Sequence, residues 1–240
     1  MEDLERRPQR VLVIMAHPDD PEFTAGGTIA AWARGGAWLG YVICTGGDKG
    51  SDDPSIPAAE LIRTREEEQR RAGRRLGVEA FEFLGHEDGA LSPTLELRRQ
   101  ISAAIRRHKP DTVICFDPTS RYGESSIQHS DHYLSGEATL AAVYPSARDA
   151  RMFPELLREG LEPHKVQQVL MVGSSSPRRW IDVSGTIEDK IAAMLEHRSQ
   201  VKDRDGIASR FRAMAQVAGA AAKPDPLELA EAFGFVSLQR

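Results

Sequence analysis

Cysteine is scarce: the 240 residues hold two, Cys44 and Cys115. Both sit in apolar runs, YVICTG and TVICFD. A disulfide scaffold is excluded at this count, and reduced, buried thiols are expected. Long hydrophobic runs are missing too. No stretch approaches the ~18 apolar residues of a transmembrane helix, and the run Val11 to Ala16 suits a buried strand. The opening MEDLERRPQR is charged and lacks an apolar segment of signal-peptide type, so the expected compartment is the cytoplasm, with no membrane insertion. Basic residues are not in excess: 31 Lys and Arg face 36 Asp and Glu, for a net charge of −5. That balance argues against a nucleic-acid binder. The cluster Arg70, Arg71, Arg74 and Arg75 lies beside Glu66, Glu67 and Glu68, which reads as a solvated helix face with i,i+4 ion pairs. No internal repeat or defensible domain boundary is present. A single domain over 1–240 is expected, with 1–9 flexible and a weaker pattern over 145–240.

What the chain does hold is an alternation. Strands are expected at 10–16, 38–45, 80–85 and 111–116, with helices at 24–34, 58–76, 95–108 and 131–144 between and after them. Further on, 167–173 and 179–184 read as strands, 186–201 and 227–233 as helices, and 210–226 as a frayed helix and linker. Alternating β and α elements with continuously apolar strands imply an α/β fold, a mostly parallel sheet with helices on both faces. Such sheets bind ligands outside the C-terminal ends of their strands. Polar residues directly after the first, second and fourth strands are therefore site candidates.

The first strand runs into His17-Pro18-Asp19-Asp20-Pro21-Glu22. Its prolines predict a stiff, non-helical turn. His17 and Asp20, three apart, can form a metal half-site. The plainer reading is that Asp19 or Asp20 caps the next helix while His17 fills a polar gap. The second cluster, His129-Ser130-Asp131-His132, follows the fourth strand and opens a helix, where Ser130 or Asp131 can serve as N-cap. Together the clusters can place two histidines and one carboxylate on a metal, leaving a position open for water, as a catalytic zinc requires. If Asp20 is a ligand, Asp19 is free to act as general base. His129 can then meet a developing oxyanion, and Asp131 can fix the tautomer of one histidine.

On the expected inward stripe of helix 58–76, Arg65 and Glu68 interrupt the apolar pattern. Either they are surface residues displaced by drift of the period, or they form a buried brace or a hand on the substrate. Glycines 26, 27, 46, 47 and 50 fit neither GxGxxG nor GxxxxGK[ST] and read as backbone clearance near the site.

Three stretches, AHPDDPEFTAGGTIA (16–30), IRTREEEQRRAGRRLGV (62–78) and HSDH (129–132), occur in this order. They resemble the AHPDD, RxxE…LGV and HxDH patterns of the LmbE-like or PIG-L zinc-dependent deacetylases. KIAAMLEHRSQ (190–200) and AEAFGF (230–235) are weaker matches. The resemblance implies a single Rossmann-like domain that hydrolyses the N-acetyl group of an N-acetylglucosamine-type sugar or conjugate. It implies zinc on His17, Asp20 and His132, with Asp19 as base. It also implies that His129 stabilises the oxyanion, oriented by Asp131, and that Arg65 lies near the substrate, braced by Glu68. Relatives of this kind often assemble as trimers or hexamers. The sequence departs from the family pattern at Pro21, where some members have Glu, and at Ile127, where mycothiol-pathway members have Tyr. Two rival readings are a non-haem iron(II) oxygenase, which also uses two histidines and a carboxylate, and a non-catalytic sugar- or nucleotide-binding protein. Loop 46–57 and segment 145–165, including His164, are expected to shape the substrate pocket; no role is assigned to His197.

Overall fold

Strand β1 (Arg10–Met15) is built from Val, Leu and Ile, and its side chains alternate between two helical layers. Val11, Val13 and Met15 join one core with Ala25, Ile29 and Ala72, while Leu12 and Ile14 join the other with Leu97, Ile101, Ala138 and Ala142. A computed structural model gives this fold over residues 7–123 and 125–238. Of the tail expected to be flexible, residues 1–6 lie outside the described residues. After β1 come α1 (Asp20–Arg34), β2 (Trp38–Thr45), α2 (Ala58–Arg75), β3 (Ala80–His86), α3 (Leu95–His108), β4 (Thr112–Phe116) and α4 (Ser130–Val143). The second half adds α5 (Pro154–Arg158), β5 (Gln168–Val172), β6 (Arg179–Asp182), α6 (Ile187–Met194), α7 (Gly206–Ala220) and β7 (Ala230–Ser237).

The seven strands form one sheet in the order β3-β2-β1-β4-β5-β7-β6. β1 pairs in parallel with both β2 and β4, so the chain winds outward to β3 and returns to the far side of β1. The order reverses between β1 and β4, and in such sheets this reversal opens a crevice at the strand C-termini. The expected α/β class with a mostly parallel sheet and helices on both faces is what the structure has. Both cysteines are free and buried. No helix of the described residues is long and apolar enough to cross a membrane.

Four readings need correction. The helix expected over 227–233 is absent: from Ala230 the chain is strand β7, hydrogen-bonded between β5 and β6 and antiparallel to both. Pairing on both sides overrides the local preference of an Ala- and Glu-containing segment. Residues 206–220 form a regular helix, because Phe211 and Ala215 are buried and Gly219 lets the backbone of Leu227 approach closely. The helix expected over 186–201 stops at Met194. Turns then carry His197 and Ser199 inward, where each finds a buried carboxylate. Finally, 145–165 does not shape the ligand end. His164 Nε2 lies 2.6 Å from the Pro110 carbonyl, at the opposite edge of the sheet, where β4 begins.

Helix α4 sits directly on the end of β4, and a Cβ at Gly136 would collide with the Phe116 carbonyl. Gly136→Ala should destabilise the fold by about 1–3 kcal/mol through overpacking, measured by urea denaturation. A change below about 0.5 kcal/mol, the level of an ordinary surface substitution, would show that α4 is not held this tightly.

Candidate active site

Beyond Met15 the chain leaves the sheet through His17, Pro18 and Asp19. Asp19 takes a left-handed conformation, φ 99°, uncommon for a residue with a side chain. Its amide donates to Gln69 Oε1 at 2.8 Å, which holds the turn. Helix α1 starts at the next residue, with Pro21 in the first turn, where no amide hydrogen is needed. The stiff turn expected over 17–22 therefore ends earlier, at Asp19. Asp19 occupies the N-cap position, yet its side chain makes no capping bond. Asp20 does not cap either: its Oδ2 accepts from the His17 amide at 2.8 Å.

At the start of α4, His129 is itself the cap, its Nδ1 accepting from the Asp131 amide at 3.2 Å. The capping role expected of Ser130 or Asp131 is thus filled by the histidine. Its ring proton, inferred from that bond, sits on Nε2. One turn on, His132 stacks on Phe116, centroids 4.1 Å apart and planes within 5°. This fixes its Nε2 at 3.2 Å from Asp20 Oδ1.

The two clusters meet in the crevice between β1 and β4. His17 Nδ1 lies 3.4 Å from Asp20 Oδ2, and Nε2 lies 3.1 Å from Asp88 Oδ1 and 3.4 Å from Asp131 Oδ2. Donor atoms of His17, Asp20 and His132 all fall within 4.8 Å of one another, as do those of His17, His129 and Asp131. Each trio can hold a metal ion by distance. His17 Nε2 and His132 Nδ1 are buried and have no partner in hydrogen-bonding geometry.

The charges are strongly shifted. Burial alone would lower the His17 pKa, but Asp131, Asp20 and Asp88 together push it up to about 12. Burial would raise the Asp20 carboxyl; His132 and His17 outweigh it and hold the group well below the usual range. Asp19 goes the other way, up to about 6: burial and its neighbour Asp20 raise it, and Arg65 opposes them. Burial and the nearby His17 keep the His129 pKa down, so that ring is neutral near pH 7.

Arg65 and Glu68 do face inward, 4% and 3% exposed, but they do not brace each other. Arg65 donates to the carbonyls of Gly47 (2.9 Å) and Pro18 (2.7 Å) and lies 3.2 Å from Asp19 Oδ2. Glu68 instead accepts from the Ser199 amide (2.9 Å) and hydroxyl (2.7 Å). The glycines of the 46–50 loop are clearance as expected: a Cβ at Gly47 or Gly50 would strike the Arg65 guanidinium, and one at Gly46 would strike Ile62. Asp131 does not orient the His129 ring through its carboxylate. That group accepts from the amides of Gly89 (2.7 Å) and Leu91 (3.3 Å) and turns to His17.

Several site residues escape the sequence reading. Asp88 follows β3, the one early strand whose end gave no candidate. Its 3.1 Å approach to His17 follows from β3 lying in the same parallel array. Glu22, Gln69, Tyr41 and His197 form a buried network beneath Asp19. Glu22 accepts from Tyr41 Oη (2.9 Å) and Gln69 Nε2 (2.9 Å), and its Oε2 lies 3.1 Å from His197 Nε2.

Residues 12–143, more than half of the chain, match the family PIG-L, described as GlcNAc-PI de-N-acetylase. The chain belongs to the PIG-L family. It is 32% identical over 193 residues to the diacetylchitobiose deacetylase of Thermococcus kodakarensis, across 80% of this chain and 70% of that one. It is 28% identical over 237 residues to the 1D-myo-inositol 2-acetamido-2-deoxy-alpha-D-glucopyranoside deacetylase of Mycobacteroides abscessus, across 82% and 83%. Among solved structures, the N,N'-diacetylchitobiose deacetylase from Pyrococcus horikoshii aligns with a TM-score of 0.87 at 28% identity, covering 96% of this chain and 84% of that one.

In this PIG-L chain, Glu68 is expected to couple to Ser199 rather than to Arg65. A double-mutant cycle with alanine at 68 and 199 should give about 1 kcal/mol or more of interaction, and the 65/68 cycle clearly less. A larger coupling for 65/68 would restore the brace.

Proposed function

We propose that the chain, as one domain over 1–240, is a zinc-dependent hydrolase that removes the N-acetyl group from an N-acetylglucosamine-type sugar or its conjugate. The observation that carries this reading is the convergence of His17, Asp20 and His132 within 4.8 Å, beside an Asp19 carboxylate that caps nothing. The names of the two sequence relatives given above, a diacetylchitobiose deacetylase and a 2-acetamido-2-deoxy-glucopyranoside deacetylase, support the substrate class. A family described by a de-N-acetylase weighs against the oxygenase and the non-catalytic readings.

Of the two trios, His17, Asp20 and His132 suit a divalent cation better. Both oxygens of Asp131 already accept backbone amides, and His129 Nδ1 is used as a helix cap. In the other trio, Asp20 Oδ1 lies 3.2 Å from His132 Nε2, while it is Oδ2 that accepts the His17 amide. Two imidazoles and a carboxylate are a suitable donor set for zinc. When bound there, zinc supplies Lewis acidity that makes water a competent nucleophile near neutral pH.

Asp19 is the general base. Burial beside Asp20 raises its pKa to about 6, which makes it more basic than a free aspartate. It takes one proton of the attacking water as the C–O bond forms at the amide carbon. It then delivers that proton to the sugar nitrogen as the C–N bond breaks, leaving a free amine and acetic acid, which ionises to acetate. His129 carries its hydrogen on Nε2 and is neutral, so it can donate to the oxyanion that develops on the carbonyl oxygen. Arg65 lines the same cavity as Asp19, His129 and Lys49, about 440 Å³ in volume. It is assigned to the substrate-facing wall, where it also fixes the Asp19 carboxylate.

Neighbouring aspartates should separate cleanly under substitution. Asp19→Asn should keep its metal and lose about 10²–10⁴-fold in activity, the worth of a general base. Asp20→Asn should lose metal affinity, and excess zinc should partly restore its activity. Metal analysis, paired with acetate release from a panel of N-acetylated amino sugars, checks both. Metal loss in Asp19→Asn with retention in Asp20→Asn would reverse the roles; full activity in both would end the hydrolase reading.

A further inference from the structure

A second cavity, about 340 Å³, lies behind the metal-capable trio. It meets the polar cavity at Asp20, Phe23 and His132, which line both. Its character is opposite. The polar cavity presents Asp19, Lys49, Arg65, Asp88 and His129. The second presents Phe23, Phe116, Phe211, Met214 and Ala215, with small residues of α7 and β7 leaving the space open. Phe23 and Phe211 pack edge to face, 5.4 Å apart. The charges at its edge are already neutralised: Lys190 Nζ meets Glu231 Oε1 at 2.6 Å, and Glu231 also accepts from the Gly27 and Thr28 amides. Met214, 46% exposed, leads from the chamber to solvent.

An amide carbon held at His17, Asp20 and His132 carries three substituents. On the mechanism proposed above, the oxygen would face His129 and the nitrogen would lead to the sugar, both toward the polar cavity. The acyl carbon chain is left to pass Phe23 and His132. A methyl group does not need a chamber within the size range of whole ligand pockets.

We propose that this chamber receives the apolar chain of the scissile acyl group, so that the site hydrolyses N-acyl amino sugars with chains longer than acetyl. The inference rests on the deacylase reading above and extends its substrate class. Its reaction balances in the same way: water adds across the C–N bond, giving the free amine and the longer carboxylic acid.

The test compares N-acetylglucosamine with N-hexanoylglucosamine, using the zinc-loaded wild type, Ala215→Phe and, at a second α7 alanine lining the chamber, Ala218→Leu. Calorimetric binding of acetate and hexanoate to the wild type is measured alongside. Each buried methylene strengthens binding severalfold, so hexanoate should bind at least ~10-fold more tightly than acetate. The wild type should turn over the hexanoyl substrate. Either substitution should lower the hexanoyl-to-acetyl ratio of kcat/KM by about 10-fold, and the milder Ala218→Leu guards against misfolding of the larger variant. Hydrolysis of the acetyl substrate alone, with hexanoate no tighter than acetate, overturns the chamber and leaves the deacylase reading intact. An unchanged ratio in both variants overturns it as well. No hydrolysis of either substrate overturns the deacylase reading itself, and the acyl assignment with it.

Discussion

His17 stands among three carboxylates, Asp20, Asp88 and Asp131, each within 3.4 Å of one of its ring nitrogens. Unit charges of like sign 4 Å apart repel by about 4 kcal/mol at an effective dielectric of 20. Three acids gathered in a crevice therefore demand positive charge at their centre. In the absence of a metal a proton on His17 sits at that centre, and the carboxylates push its pKa up to about 12. A divalent cation meets the same demand with more charge, and it requires His17 to be neutral. The acids also tie the surrounding loops together. Asp20 holds the His17 amide, Asp131 holds those of Gly89 and Leu91, and Asp88 accepts from Lys49. The loops after β1, β3 and β4 are thereby fixed by the groups that form the site.

Beneath this layer the strained Asp19 is held from two sides. Gln69 takes its amide, and Arg65 lies against its carboxylate while gripping the Pro18 and Gly47 carbonyls. Gln69 is in turn fixed by Glu22, which also engages Tyr41 and His197. Residues from β2, α1, α2 and the turn after α6 thus converge on one backbone conformation. That convergence explains how a left-handed, non-glycine residue persists: the surrounding structure over-determines it.

Much of this was legible in the sequence, and what was missed has a common cause. The strand–helix alternation, the boundaries of β2 and α3, and the meeting of His17 and Asp20 with His129 and His132 follow from periodicity and the strand-end rule. Contacts set by tertiary packing did not. Asp88 sits in a short, plain turn, and only the parallel pairing of β3 brings it to His17. For Arg65 and Glu68 helical spacing leaves surface and inward readings open, and it cannot say that one reaches Gly47 and the other Ser199. His197 ends a helix early because a buried glutamate 175 residues away in sequence draws it inward. The segment 230–237 became strand because two neighbours had open edges, which no local pattern encodes.

The central claim concerns which of two overlapping trios holds the metal. Crystals of the zinc-loaded protein, with anomalous data collected on either side of the zinc absorption edge, address it directly. The account predicts one strong peak bonded to His17, Asp20 and His132, with the Asp19 carboxylate outside the coordination sphere. A peak held by His17, His129 and Asp131, or no peak at saturating zinc, would contradict it.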